Sequence, residues 1–167
     1  EAFFDKYQIS HSQQEFEDHM YGKHNGYIMS HFFNRPITGE ELKKLEDEKE
    51  SMFREIYKDK VEKIPHYLQF LDELKSRGFK TAVATSAPRA NLDLIVNSLK
   101  IEDKMDSMMA SQDVQNHKPD PEVYLKSAER VGVSPSDCVV FEDSFSGVTA
   151  GLNAGMKVVG VLSSHTK

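Results

Sequence analysis

Three short stretches of this chain combine residue types able to handle a phosphoryl group. Thr85-Ser86-Ala87 offers two hydroxyls and adjacent backbone amides just before an apolar helical stretch. Such a turn can hold phosphate oxygens at a helix start, although an ordinary Ser/Thr helix cap uses the same residues. His117-Lys118-Pro119-Asp120-Pro121 sets one lysine in a loop whose two prolines stiffen the backbone around it. Glu142-Asp143-Ser144 places adjacent carboxylates ahead of Gly147. Paired hard oxygen ligands suit Mg²⁺, which binds through one or two carboxylates together with substrate phosphate and water.

Each stretch follows a short apolar segment, and the pattern of those segments says what must position them. After Lys63-Ile64-Pro65 the sequence predicts a helix from Pro65 to Arg77 closed by Gly78, a strand from Lys80 to Thr85, a helix from Ala90 to Leu99 and a strand near Ser107 to Ser111. The order then repeats. A helix follows Pro121 with Val123, Leu125, Ala128 and Val131 inward, Cys138 to Phe141 forms a strand, Gly147 to Ala154 a helix and Val158 to Val161 a strand. Short apolar strands alternating with helices imply a Rossmann-like α/β fold with a parallel sheet, and in such sheets ligands bind beyond the carboxyl ends of the strands. All three stretches fall at those ends.

Residues 1–60 read differently, as a helical domain ahead of a core over 61–167, with the boundary in the charged stretch Lys58 to Ile64. Helices are expected from Ala2 to Tyr7, from Ser12 and from near Asn25. Ser12-x-x-Glu15 and Thr38-x-x-Glu41 have the spacing of reciprocal capping boxes. In the longest helix Leu42, Leu45, Met52, Phe53 and Ile56 share one face, while Glu46, Glu48, Lys49 and Glu50 read as its solvated side.

Composition narrows the classes. Among 167 residues the net charge is −6, which argues against a basic nucleic-acid surface, and no apolar run approaches the ~18 residues of a membrane span. One cysteine, Cys138, cannot form an internal disulfide and is expected as a small core residue; a reducing cytoplasm fits this usage. The seven histidines show no metal-binding spacing with one another or with the cysteine, so zinc is not expected.

Val83-Ala84-Thr85-Ser86, His117-Lys118-Pro119-Asp120-Pro121-Glu122-Val123-Tyr124 and Phe141-Glu142-Asp143-Ser144, with Gly147, Ala150, Ala154 and Gly155 following, resemble the haloacid dehalogenase superfamily. Within it, the chain is similar to the β-phosphoglucomutase-like phosphatases with a helical cap. The resemblance implies that Thr85, with Ser86 and Ala87, holds the transferring phosphoryl group, that Lys118 neutralises phosphate and nucleophile charge, and that Glu142 and Asp143 help to bind Mg²⁺. Gly22-Lys23-His24-Asn25 resembles the cap loop of the family, which implies that Lys23 and Asn25 face the substrate. The family pattern also has an Asp-x-Asp-Gly-Thr segment, whose first aspartate is phosphorylated and whose second acts as acid and base. No such segment occurs here. Phe3-Phe4-Asp5-Lys6-Tyr7 puts Tyr7 where the second aspartate would stand and lacks Gly and Thr. The expectation is therefore that residues preceding Glu1 in the whole protein supply the central strand and its nucleophile, and that another strand or helix follows Lys167.

The function these features imply is a Mg²⁺-dependent phosphatase of a small phosphorylated metabolite, a sugar phosphate, working through a phosphoaspartate as a monomer. The alternatives are a β-phosphoglucomutase-type mutase and a catalytically silent binding module. Ala87-Pro88-Arg89 stands where the mutase pattern has Ser-Lys-Asn, which counts against the mutase.

Overall fold

A computed structural model describes residues 2–20 and 23–162. Gly22 of the cap-like loop and His165 lie outside the described residues. The chain divides into two units, Glu1–Tyr57 and Lys58–Lys167. No helix among the described residues is long and apolar enough to cross a membrane.

The first unit contains α1 (Ala2–Lys6), α2 (Gln13–Met20), α3 (Asn25–Phe32) and α4 (Gly39–Tyr57). Aromatic burial organises it: Phe4 is fully buried, its ring centroid 4.4 Å from that of Phe32, within a core of Phe3, Ile28, Met29, Ile37 and Leu45. Neither expected capping box closes. Ser12 Oγ accepts the Glu15 amide at 3.0 Å, but the Glu15 carboxylate pairs with His31 Nε2 at 3.1 Å. The Glu41 carboxylate turns to the Arg35 guanidinium, at 2.9 and 2.5 Å. Two readings of α4 are corrected. Phe53 and Ile56 are exposed, whereas Glu50, taken as solvated, is buried, accepting hydrogen bonds from Asn25 Nδ2 at 2.9 Å and from Lys49 Nζ. A buried carboxylate is tolerated when donors meet it, and helical periodicity does not reveal those donors.

The second unit contains α5 (Tyr67–Ser76), β1 (Ala82–Ala84), α6 (Arg89–Leu99), β2 (Ser107–Met109), α7 (Glu122–Val131), β3 (Val139–Glu142), α8 (Phe145–Asn153) and β4 (Lys157–Gly160). It has the α/β Rossmann-like fold. β1 pairs with β2 in parallel, with Val83 opposite Met108, and β3 pairs in parallel with β4, with Val140 opposite Val158. Among the described residues no ladder joins the two pairs. One core is built from α7, α8 and the strands, around Met109, Val123, Tyr124, Ala128, Val140 and Ala150. A second gathers Leu71 of α5 and Leu92 and Val96 of α6. On β3, Val140 is buried while Val139 and Phe141 are exposed on the other face, where Phe141 meets Phe70 of α5 edge-on at 5.6 Å.

Several boundaries move for local reasons. α5 starts two residues late because His66 adopts a left-handed conformation, φ 64°, which an α-helix cannot include. α8 starts two residues early because Ser144 serves as its cap, its Oγ accepting the Gly147 amide at 3.0 Å. Leu125, expected inward, is exposed, and Tyr124 takes the buried position. Cys138 precedes β3 rather than opening it; it is half-buried against the core, and burial pushes its thiol up.

Candidate phosphoryl site

The carboxyl ends of β1 and β3 carry the site. β1 ends at Ala84, and the Thr85 amide continues toward β2 by donating to the Met109 carbonyl at 2.9 Å. Thr85 Oγ1 then accepts the Ala87 amide at 3.1 Å, a tight side-chain turn. The Ala87 carbonyl in turn accepts the Ser111 amide at 3.0 Å, which ties this turn to the loop beyond β2. Thr85, Ser86 and Ala87 therefore lie between the end of β1 and the first turn of α6, which begins at Arg89 after Pro88.

The lysine loop is clamped by its own following helix. The Glu122 carboxylate accepts the Gln115 and Asn116 amides, the latter at 2.7 Å, and pairs with Lys126 at 2.6 Å. The Lys126 hydrogen bond and those two amides hold the Glu122 carboxyl down at about 2. Asp120 Oδ1 accepts the Glu122 amide at 2.9 Å, and Asn153 of α8 donates to the Pro119 carbonyl at 3.2 Å. Held at both ends, the loop delivers Lys118 inward.

Lys118 Nζ donates to the Ala84 carbonyl at 3.2 Å and to Glu142 Oε1 at 2.6 Å, so that one ammonium touches the ends of both β1 and β3. The pair is buried, with side-chain exposures of 6% for Lys118 and 11% for Glu142. Tyr124 completes it: its hydroxyl donates to Glu142 Oε1 at 3.1 Å and its ring centroid lies 4.7 Å from Lys118 Nζ, within cation–π range. Glu142 Oε2 accepts from the Asp143 and Ser144 amides, both at 2.9 Å, and from Ser144 Oγ at 3.0 Å. Burial pushes the Glu142 carboxyl up, but the charge and hydrogen bond of Lys118, with Ser144, outweigh it and hold the group below its ordinary range. Burial, followed by the Glu142 charge and hydrogen bond, pushes the Tyr124 phenol far up, so it stays a donor. Gly147 makes the close approach possible, since a Cβ there would stand 2.0 Å from the Glu142 carboxylate.

Glu142 points inward to a lysine and four other hydrogen-bond donors, and Asp143 is exposed beside it. No group of three His, Cys, Asp or Glu side chains able to hold a metal occurs among the described residues. Two hard carboxylates at the edge still match the donor set of Mg²⁺, whose remaining positions go to water and phosphate. Lys23 and Asn25 belong to the helical unit: Lys23 Nζ lies 5.7 Å from the Tyr27 ring, and the Asn25 amide is committed to Glu50. Sequence reasoning missed Tyr124 and Glu122. The signal for Tyr124 was present, since it adjoins Val123 on the inward side of α7 and a buried phenol needs a hydrogen-bond partner.

A family model for haloacid dehalogenase-like hydrolases matches residues 1–161. A haloacid dehalogenase-like hydrolase domain-containing protein of Arabidopsis thaliana is 35% identical over 173 residues, covering 98% of this chain and 55% of the relative. A phosphorylated carbohydrates phosphatase of Thermotoga maritima is 39% identical over 123 residues, covering 73% of this chain and 55% of the relative. The chain thus spans about half the length of these curated relatives. The solved structure of a β-phosphoglucomutase from Clostridium difficile superposes with a TM-score of 0.85 at 25% identity, covering 95% of this chain and 73% of that one.

Proposed function

Because the chain belongs to the haloacid dehalogenase-like hydrolases, we propose that it carries the phosphoryl-binding half of a Mg²⁺-dependent phosphatase of small phosphorylated metabolites, with sugar phosphates as the substrate class. The observation that carries this reading is the buried Lys118, whose ammonium spans the carboxyl ends of β1 and β3 beside the Thr85 turn. Phosphoryl transfer depends on positioning and on stabilising charge spread over the equatorial oxygens, rather than on covalent work by many groups. The Thr85 hydroxyl and the turn that follows it bind those oxygens. Lys118 neutralises the charge that develops. Glu142 and Asp143 would hold Mg²⁺, which when bound supplies positive charge to the phosphate.

The group accepting the phosphoryl is an aspartate on a strand outside residues 1–167, giving a phosphoaspartate that water hydrolyses. Support for that placement comes from β1 and β3, whose facing edges join no ladder among the described residues, and from the exposed apolar side chains of Val139 and Phe141. The helical unit acts as a cap, with Lys23 reading the non-reacting part of the substrate. The T. maritima relative, a phosphorylated carbohydrates phosphatase by name, supports this substrate class.

Steady-state assays of the full-length protein on a panel of phosphorylated metabolites test the reading. Hydrolysis of sugar phosphates that requires Mg²⁺ is expected. Asp143→Asn should weaken the Mg²⁺ dependence strongly. Lys23→Ala should raise KM for the preferred sugar phosphate while sparing slow hydrolysis of a small generic ester, since closure over the ligand and chemistry at the strand ends are separable. Interconversion of sugar phosphates without net release of phosphate would replace this reading with a mutase.

A further inference from the structure

We propose that Tyr124 is a positioning residue for phosphoryl binding: its hydroxyl keeps hold of Glu142 Oε1 while the Lys118 ammonium turns from that oxygen to a phosphoryl oxygen. The proposal rests on the reading above that Lys118 meets phosphate.

The donors around the half-buried Glu142 carboxylate divide between its two oxygens. Glu142 Oε2 is served by the Asp143 and Ser144 amides and by Ser144 Oγ, none of which involves Lys118. Glu142 Oε1 is served by Lys118 Nζ at 2.6 Å and Tyr124 Oη at 3.1 Å. An ammonium has three N–H donors, of which the Ala84 carbonyl and Oε1 take two. The third N–H is open to a phosphoryl group, and as its several charged oxygens draw the ammonium further from Oε1, only this oxygen loses a donor. An unpaired carboxylate oxygen in a buried site is costly.

The tyrosine hydroxyl is placed to cover that loss. Tyr124 is only 6% exposed and shares the buried face of α7 with Val123, Ser127 and Ala128, and its ring joins the apolar core, so packing alone would be served by phenylalanine. While Lys118 rests on Glu142, Oε1 is already satisfied and the phenol adds little. Once Lys118 has turned, the phenol is the remaining donor on Oε1. A ligand shifts an equilibrium only by its difference between two states, and this hydroxyl differs between them in the direction that favours phosphate. The ring, 4.7 Å from Nζ, walls the ammonium in both states.

The test is calorimetric titration of the full-length protein with inorganic phosphate in the presence of Mg²⁺, alongside thermal unfolding of each variant. Tyr124→Phe is expected to weaken phosphate binding by about fivefold, the scale of one net hydrogen bond, with little change in the unfolding midpoint. In a Glu142→Gln background the same substitution should have no further effect, because the hydroxyl acts through that carboxylate. An unchanged phosphate Kd in Tyr124→Phe overturns the proposal, as does an undiminished effect in the Glu142→Gln background. A Phe variant too unstable to titrate also overturns it, since the hydroxyl would then hold the fold rather than the ligand state. Lys118→Ala separates the two claims. If that variant binds phosphate normally, or the wild-type protein binds none, the phosphoryl-site reading fails and takes this proposal with it; if only Tyr124→Phe is silent, the positioning role alone fails.

Discussion

The same three residue types meet twice in this molecule, and the two meetings differ in what surrounds them. In the helical unit Lys6 Nζ donates to Glu48 Oε1 at 2.5 Å and the Tyr7 hydroxyl to Glu48 Oε2 at 2.8 Å, one donor to each oxygen, with the Lys6 side chain 58% exposed. In the α/β unit both donors converge on Glu142 Oε1, backbone amides take Oε2, and the Lys118 side chain is 6% exposed. The Lys6 and Tyr7 hydrogen bonds lower the Glu48 carboxyl. For Glu142 burial works the other way, and the Lys118 charge must overcome it. Water can replace any partner of the first cluster, so that cluster is weakly held and replaceable. The partners of the second are far less accessible to water, so its ammonium is both costly to lose and available to a charged substrate.

Removing the lysine from each cluster should separate them most. Lys118→Ala is expected to lower kcat by about two or more orders of magnitude, as for loss of a charge aimed at a reacting anion. It should also lower stability by about 2–3 kcal/mol, because a buried carboxylate loses its cation while keeping four other donors. Lys6→Ala should leave both kcat and the unfolding midpoint in place. Near-normal turnover in Lys118→Ala, measured on a generic phosphate ester, would break the contrast.

Gly147→Ala comes next. A methyl group 2.0 Å from the Glu142 carboxylate forces it off its donors, with an expected cost of about 1–3 kcal/mol and a tenfold or greater fall in turnover, on the scale of overpacking elsewhere. Kinetics and thermal unfolding of this one variant check both.

Acid titration is the third comparison. The folded-state pKa of Glu142 is depressed, so its contribution to stability is present above the unfolded glutamate value, about 4.3, and is lost as pH falls through the lower folded value. Urea unfolding at a series of pH values should show Glu142→Gln flattening the loss of stability below about pH 4.3. Glu48→Gln should flatten that limb less, since the Glu48 carboxyl is lowered as well but its partners are screened by water.

The smallest effect concerns burial without partners. Ser107 and Ser127 are buried, and their hydroxyls have no hydrogen-bond partner among the described residues. Ser127→Ala is expected to be neutral or to stabilise by up to about 1 kcal/mol in urea unfolding, against the losses at Lys118, because no bond is broken and an unsatisfied group leaves the core.

Much of the second unit is legible from local pattern. The strands around Val83, Met108, Val140 and Val158 stand where short apolar runs between helices place them; Thr85 follows β1, Lys118 lies in the loop after β2 and Glu142 ends β3. The first unit is less legible. Helical periodicity locates α4 but misplaces Glu50, since whether a charged residue is solvated depends on what the neighbouring helix presents, here Asn25. The capping spacings at Ser12 and Thr38 are sequence signals, yet the glutamates of both turn to other partners, the His31 ring and the Arg35 guanidinium. From sequence Lys118 is a lysine in a proline-stiffened loop; its burial against Glu142 is not legible there.

By itself the sequence determined the α/β class, the order of the elements and the set of residues gathered at the strand ends. In a parallel sheet every strand leaves by the same edge, so local pattern is enough to say which residues arrive there. Only the tertiary structure decided which atoms meet. Lys118 reaches the Ala84 carbonyl across 34 positions and Glu142 across 24, and Tyr124 reaches Glu142 across 18. Those contacts follow from strand register, helix packing and the absence of a side chain at Gly147, which set distances to tenths of an ångström. A hydrogen bond responds to such distances, whereas residue type and spacing along the chain do not encode them.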